Sequence, residues 1–207
     1  MSSFIPQFQK CILTTSDIYQ HLPILWKYAT ECETILECGV RTPTSTWAFI
    51  QGLINNCKTN KILTSVDIQP CSRELNIKAV AEKNKVSFNF IQENDLKLDF
   101  LKIGKVDMVF IDTWHVYGQL KRELEHFHKN TNKYIIMHDT TVDAVHGEVM
   151  RYGGDGKKES TESGFPLEEV TKGLWPAVEE FLQKHIDWVL EARFNHNNGL
   201  TILKKIK

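Results

Sequence analysis

The sequence predicts an α/β protein: a doubly wound, mostly parallel sheet of seven strands that ends in an antiparallel C-terminal hairpin. Three observations carry this expectation. Short apolar runs alternate with helical patterns up to Asp139, as strand–helix–strand units do. Two of those runs, MVFI and YIIM, are apolar throughout, which suits strands buried on both faces of a parallel sheet. Beyond them, two strand-like segments flank Asn197-Asn198-Gly199, a turn signal for a hairpin.

Residues 1–32 form an N-terminal helical segment, in which 17–30 (DIYQHLPILWKYAT) reads as a helix with Pro23 as an irregularity. Residues 34–40 are the first strand, turning at Gly39. Thr44-Ser45-Thr46 can cap the next helix, whose Trp47, Phe49, Ile50, Leu53 and Ile54 fall at helical spacing. Residues 61–67 are a second strand closed by an acid, 72–83 a helix, 86–92 a third strand and 96–103 a helix. The fourth strand is 106–111, the amphipathic helix 117–128 follows, and the fifth strand is 133–137. Residues 146–173 are polar and Gly-rich and read as a flexible lid or insertion over a substrate. A helix at 176–184 and strands at 187–194 and 199–204 complete the chain. With no internal repeat, residues 1–207 read as a single domain, large enough to bury one core.

A formal net charge of -1 argues against a general nucleic-acid binder. Five scattered cysteines without a C-x-x-C pair read as free thiols, with Cys38 a small core residue. No apolar run approaches the ~20 residues of a membrane span, and MSSFIPQFQK lacks the apolar core of a signal peptide. A cytoplasmic protein is expected, with no membrane partner; a homo-oligomer stays open.

Open α/β sheets bind ligands beyond the carboxyl ends of their strands. Here those ends carry Glu37 and Gly39, then Asp67, Asp95, Asp112, and finally His138 and Asp139, with His115 close behind Asp112. Gly39 lets backbone approach a ligand. Asp67 can accept both ribose hydroxyls, and Asp95 can take a donor near an adenine; helix capping is the alternative for Asp95. The dinucleotide fingerprint G-x-G-x-x-G is missing, and Pro43 stands where a helix-start glycine belongs. A one-glycine turn suits a ligand without pyrophosphate, such as S-adenosylmethionine, whose ammonium and sulfonium match Glu37.

The motifs ILECGVRTPTSTWAF, SVDI, VFIDTWHVYGQLKRELEHF and YIIMHDT, over residues 33–142, resemble those of class I S-adenosylmethionine-dependent methyltransferases with a Rossmann-like sheet. Within that class the chain is similar to small O-methyltransferases of the macrolide-sugar and cephalosporin hydroxylase-like group. Glu37, Gly39 and Ser45 match the family's first motif, while Pro43 replaces its second glycine. The resemblance implies methyl transfer to a sugar or glycan hydroxyl, with Asp112 serving both cofactor and metal. It also implies a divalent ion, Mg²⁺ or Mn²⁺, held by Asp112, His138 and Asp139. Two carboxylates are hard oxygen ligands of the kind Mg²⁺ prefers, and an imidazole tilts the set toward Mn²⁺.

His115 is the candidate general base, its ordinary pKa of ~6.5 fitting proton removal near neutrality. Plainer alternatives are loop hydrogen bonding for His115, helix capping for the two acids, and for His138 a supporting bond to Asp139. Trp114, Tyr117, Phe165 and Trp175 are candidates to meet an acceptor, or simply pack. His126 and His128 read as solvated helix residues. Competing functions are a catechol-type O-methyltransferase, a nicotinamide-dependent oxidoreductase, which needs the missing pyrophosphate loop, and a binding module without catalysis.

Overall fold

The computed structural model describes residues 4–206, so Met1–Ser3 of the N-terminal stretch lie outside it. The chain forms two compact units, one running to Ile111 and taking in Asn130–Asn132, the other made of Asp112–Lys129 and the chain from Lys133 onward. In the first unit, in chain order, come α1 (Pro6–Leu13), a 3₁₀ turn (Tyr19–His21), α2 (Leu22–Ala29), β1 (Thr34–Cys38), α3 (Thr44–Asn55) and β2 (Ile62–Asp67). They are followed by α4 (Glu74–Lys83), β3 (Ser87–Gln92), a 3₁₀ turn (Asp95–Lys97), α5 (Phe100–Ile103) and β4 (Val106–Ile111). The second unit holds α6 (Tyr117–Phe127), β5 (Thr131–His138, counted here from Lys133), α7 (Glu148–Arg151), α8 (Gly156–Ser163), α9 (Leu167–Thr171), α10 (Trp175–Lys184), β6 (Trp188–Phe194) and β7 (Leu200–Lys205). The strands make one sheet in the order β3-β2-β1-β4-β5-β7-β6. β1, β2, β3 and β4 run parallel, whereas β7 is antiparallel to both β5 and β6. This is the doubly wound sheet with a C-terminal hairpin that the alternation of runs implied.

In the first unit the core lies around α3. Its apolar residues and even Gln51 are buried, because α2 covers the face that would otherwise meet water. Gly52 makes that approach possible: a Cβ there would sit 2.3 Å from the Cβ of Ala29. Pro23 does not interrupt a long helix. It stands in the first turn of α2, where a residue without an N–H costs nothing. The chain before it makes a tighter turn instead.

In the second unit Leu120, Leu124 and Phe127 form the buried stripe of α6 and belong with Val178 and Phe181 of α10 to its core. The segment expected to be a flexible loop, 146–173, is largely helical. Asp155 caps α8 by accepting from the amides of Lys157 and Lys158, and Gly164 ends it in the left-handed conformation (φ 74°). The Gly147 amide donates to the Thr171 carbonyl at 2.9 Å, and His146 pairs with Lys172, so the two ends of the segment are tied together. No residue of α8 itself is buried.

Candidate active site

Glu37 lies near the end of β1 and is completely buried. A carboxylate removed from water must be hydrogen-bonded. Ser45 Oγ donates to Oε1 at 2.6 Å, Ser65 Oγ to Oε2 at 2.6 Å, and Thr46 Oγ1 lies 2.9 Å from Oε2. The expectation that Thr44-Ser45-Thr46 caps α3 is thereby corrected: Pro43 occupies the cap position and no side chain caps it. Losing a cap costs about 1 kcal/mol, while each hydrogen bond to a buried charge is worth roughly 1.5–3 kcal/mol. The hydroxyls go where they stabilise more.

Gly39 has φ 87°, a conformation that disfavours any side chain by about 1–2 kcal/mol. The loop after it is held by Asp67, whose Oδ2 accepts from the amides of Val40 (2.8 Å) and Arg41 (3.0 Å) while Oδ1 accepts from Gln69 (2.8 Å). Capping of the turn at 95–97 falls to Asn94, which accepts from the Leu96 amide. The alternative role for Asp95 is therefore filled by its neighbour, and Asp95 itself is buried.

The second unit brings Asp112, His115, His138 and Asp139 together. His115 Nε2 is 3.1 Å from Asp112 Oδ1, and His115 Nδ1 is 3.0 Å from Asp139 Oδ2. His138 Nδ1 lies 3.3 Å from Asp112 Oδ1 and 3.7 Å from Asp139 Oδ1. Neither acid caps α6, whose cap position is Val116. Three further groups join the cluster: Asp143 and Glu148 stand 3.4 and 3.3 Å from His115 Nδ1, and Arg151 forks onto Asp143 at 2.7 and 2.8 Å. The sequence reading missed them. The spacing Asp139–Asp143 was the available signal, since a turn brings residues four apart together. Asp139 makes that turn in a left-handed conformation (φ 56°), with its carbonyl accepting from the Asp143 amide at 3.1 Å. Such backbone strain is held by the surrounding structure and clusters at functional sites.

The hairpin turn also reaches this cluster. Asn197, Asn198 and Gly199 all have positive φ, and the Asn198 carbonyl accepts from Thr141 (3.0 Å) and Val142 (2.9 Å). The Asn197 carbonyl lies 3.3 Å from His138 Nε2. It favours the proton on Nε2 and leaves the Nδ1 lone pair facing Asp112. A lone pair cannot face a carboxylate at that distance alone; a proton or a cation belongs between them.

Charge in the cluster is unbalanced. Burial opposes ionisation of Asp112, but His138 and His115 outweigh it and hold its carboxyl well below the usual range. Burial likewise opposes a charged His115, yet hydrogen bonds to Asp112, Asp143 and Glu148 push its pKa well above the ordinary value. His138 is raised in the same way, against its burial, by Asp112 and Asp139. Asp139 is raised, chiefly by burial. Burial is overcome at Asp143 by His115 and Arg151, which lower it. Four carboxylates thus share two imidazoles and one guanidinium. Asp139 Oδ1 is buried without a hydrogen-bond partner among the described residues. Asp112, His138 and Asp139 offer ligand atoms within 4.8 Å of one another. This donor set, two carboxylates and an imidazole with an orphaned oxygen, fits a divalent cation.

The four aromatic candidates are engaged within the protein. Trp114 stacks on Phe165 (5.9 Å), whose ring Arg122 covers at 4.0 Å. Tyr117 donates its hydroxyl to Glu180 at 2.7 Å, and Trp175 carries Arg193 on its face at 3.4 Å. His128 corrects the reading of a solvated residue: it is buried, because α10 ends against it.

No family model matches the chain, and no curated protein matches it. Solved structures do. The O-methyltransferase TomG from Streptomyces achromogenes, involved in tomaymycin synthesis and solved with S-adenosylmethionine, aligns with a TM-score of 0.64 at 12% identity over 100% of this chain and 92% of its own. A putative caffeoyl-CoA O-methyltransferase from Staphylococcus aureus aligns at 0.59 and 17% identity, covering 99% and 93%. The N-terminal domain of EvdMO1, solved in the presence of S-adenosylhomocysteine and D-fucose, aligns at 0.50 and 11% identity, covering 92% and 82%. At these identities the likeness is one of fold, and this chain has the fold of these solved O-methyltransferases.

Proposed function

We propose that this protein is an S-adenosylmethionine-dependent O-methyltransferase acting on a hydroxyl of a sugar or glycan. The observation that carries the reading is the partly buried cluster of Asp112, Asp139 and two imidazoles at strand ends of a methyltransferase fold. The first unit supplies the cofactor residues. Glu37 and the hydroxyls of Ser45, Thr46 and Ser65 set the loop at Gly39, and Asp67 presents the lone pair left on Oδ1 to the ribose. Asp95 serves the adenine. Asp67→Ala is expected to weaken S-adenosylmethionine binding by about 10- to 100-fold, the worth of one or two hydrogen bonds to a charge. Calorimetric titration checks this, and unchanged affinity would reject the ribose role.

Asp112, His138 and Asp139 would hold the metal, Mn²⁺ being favoured over Mg²⁺ by the imidazole. A bound divalent ion lowers the pKa of an acceptor hydroxyl and orients it. His115 is the base. A cation held by Asp112 and Asp139 would weaken two of the four carboxylates that keep the proton on this ring, and so would favour its accepting one from the acceptor hydroxyl. The tied segment 146–173 is read as the acceptor lid, with the exposed Tyr152 and Met150 as its apolar contacts. Free thiols at all five cysteines support a reducing, cytoplasmic setting. Among the described residues no helix is long and apolar enough to cross a membrane.

The neighbour solved with D-fucose favours a sugar acceptor. The neighbour named for caffeoyl-CoA favours the second reading, a catechol-type acceptor. Methyl transfer from labelled cofactor to a panel of glycans and catechols decides between them: label on catechols alone rejects the sugar. Tight NAD binding with none for S-adenosylmethionine would reject both.

A further inference from the structure

The geometry points to a second cation site, formed by Glu125, His128 and His185 at the opposite end of α6 from the candidate active site and suited to Zn²⁺. α6, eleven residues and roughly 16 Å long at 1.5 Å per residue, starts beside the candidate active site and carries Glu125 in its last turn. Glu125 and His128 are three apart and share one face of the helix end. His185 immediately follows α10. Its Nε2 lies 3.1 Å from Glu125 Oε1, His128 Nε2 is 3.9 Å from Glu125 Oε2, and the three ligand atoms fall within 4.8 Å of one another. Tetrahedral zinc with bonds of 2.0–2.1 Å spaces its ligands about 3.3 Å apart. Small side-chain rotations therefore close the set.

A second observation points the same way. His128 is 6% exposed, and its Nε2 has no hydrogen-bond partner among the described residues although it faces Glu125. Buried polar atoms are rarely left so. Burial, then the neighbouring His185, lowers the pKa of His128 and keeps the ring in the neutral form that ligates metals. The surroundings confine the pair: the Phe181 ring packs on both imidazoles at 5.6 and 4.5 Å, and the His128 carbonyl accepts from Lys205 at 3.2 Å. The competing cation is Lys184, 2.7 Å from Glu125 Oε1, on an exposed side chain that can swing into solvent. Two imidazoles and one carboxylate with an open fourth position match a zinc set, whereas Mg²⁺ and Ca²⁺ take oxygen throughout. Bound there, the ion ties the end of α6 to the end of α10 and stabilises the folded state by mass action.

The test is titration of the metal-freed full chain with Zn²⁺, and separately with Co²⁺, whose visible spectrum reports tetrahedral coordination. Wild type and Asp112→Asn are expected to share one Zn²⁺ of equal affinity and the same tetrahedral Co²⁺ bands. Glu125→Gln, at a half-exposed position that leaves the core intact, and His185→Gln should each weaken that ion at least ~10-fold, the loss seen even for outer-sphere partners. Identical titrations for wild type and Glu125→Gln overturn the proposal, as does loss of the tetrahedral bands in Asp112→Asn.

Discussion

Asp112→Asn is expected to lower kcat for methyl transfer by about 10²–10³-fold. An amide oxygen keeps the shape but loses the charge, and Lewis-acid stabilisation of a developing alkoxide is worth several kcal/mol, at 1.36 kcal/mol per decade of rate. The substitution also removes the charge that both imidazoles face, leaving Nδ1 of His138 and Nε2 of His115 a neutral amide acceptor in place of a carboxylate. Chelation of the wild-type enzyme should reach the same floor. Chelating the variant should then add little, because two changes that remove one interaction are not additive. Labelled-methyl transfer with and without EDTA measures all four states. Full turnover by the variant, or wild-type turnover indifferent to EDTA, would remove metal assistance through Asp112.

His115→Gln should cost on the order of 10²–10⁴-fold in turnover, the range for general-base catalysis, with a smaller effect on cofactor affinity. The pH dependence separates this from a packing role. A base must be unprotonated, so wild-type activity rises with pH through the pKa of His115, and that limb should vanish in the variant. Stability of the metal-free protein runs the other way. The folded-state pKa of His115 is raised well above its ordinary value. Its stabilisation is therefore fully present below about pH 6.5, the unfolded value, and is lost as pH rises through the folded pKa. The Tm of metal-free wild type should fall as pH rises above neutrality. In His115→Gln the fall should shrink to the part due to His138, which is shifted in the same direction. A wild-type Tm that stays flat into the alkaline range would contradict the carboxylate cage around this ring.

The strand ends were legible because an apolar run that stops on a carboxylate marks both the buried strand and the point where it surfaces. MVFI and YIIM deliver Asp112 and Asp139 in that way, and KILTSVD delivers Asp67. Other residues were not legible, for separate reasons. Ser45 and Thr46 look like helix caps until Glu37 is known to be buried beside them. Asp143, Glu148 and Arg151 sit in a stretch that reads as a polar loop, and only the left-handed turn at Asp139 and the pairing of His146 with Lys172 carry them to His115. His128 reads in the sequence as a polar-face helix residue, and burying it took a residue 57 positions away, His185 (185 − 128).

Period and punctuation in the sequence determined the alternating strands, the hairpin and the carboxyl ends at which Asp112, His115, His138 and Asp139 gather. Those are local properties, set by which side chains must leave water and where the chain can turn. Tertiary structure alone decided the protonation of His115, the partners of Glu37 and the burial of His128. Each depends on charges and surfaces contributed by distant segments, and the energy of a buried charge is set by what packs around it.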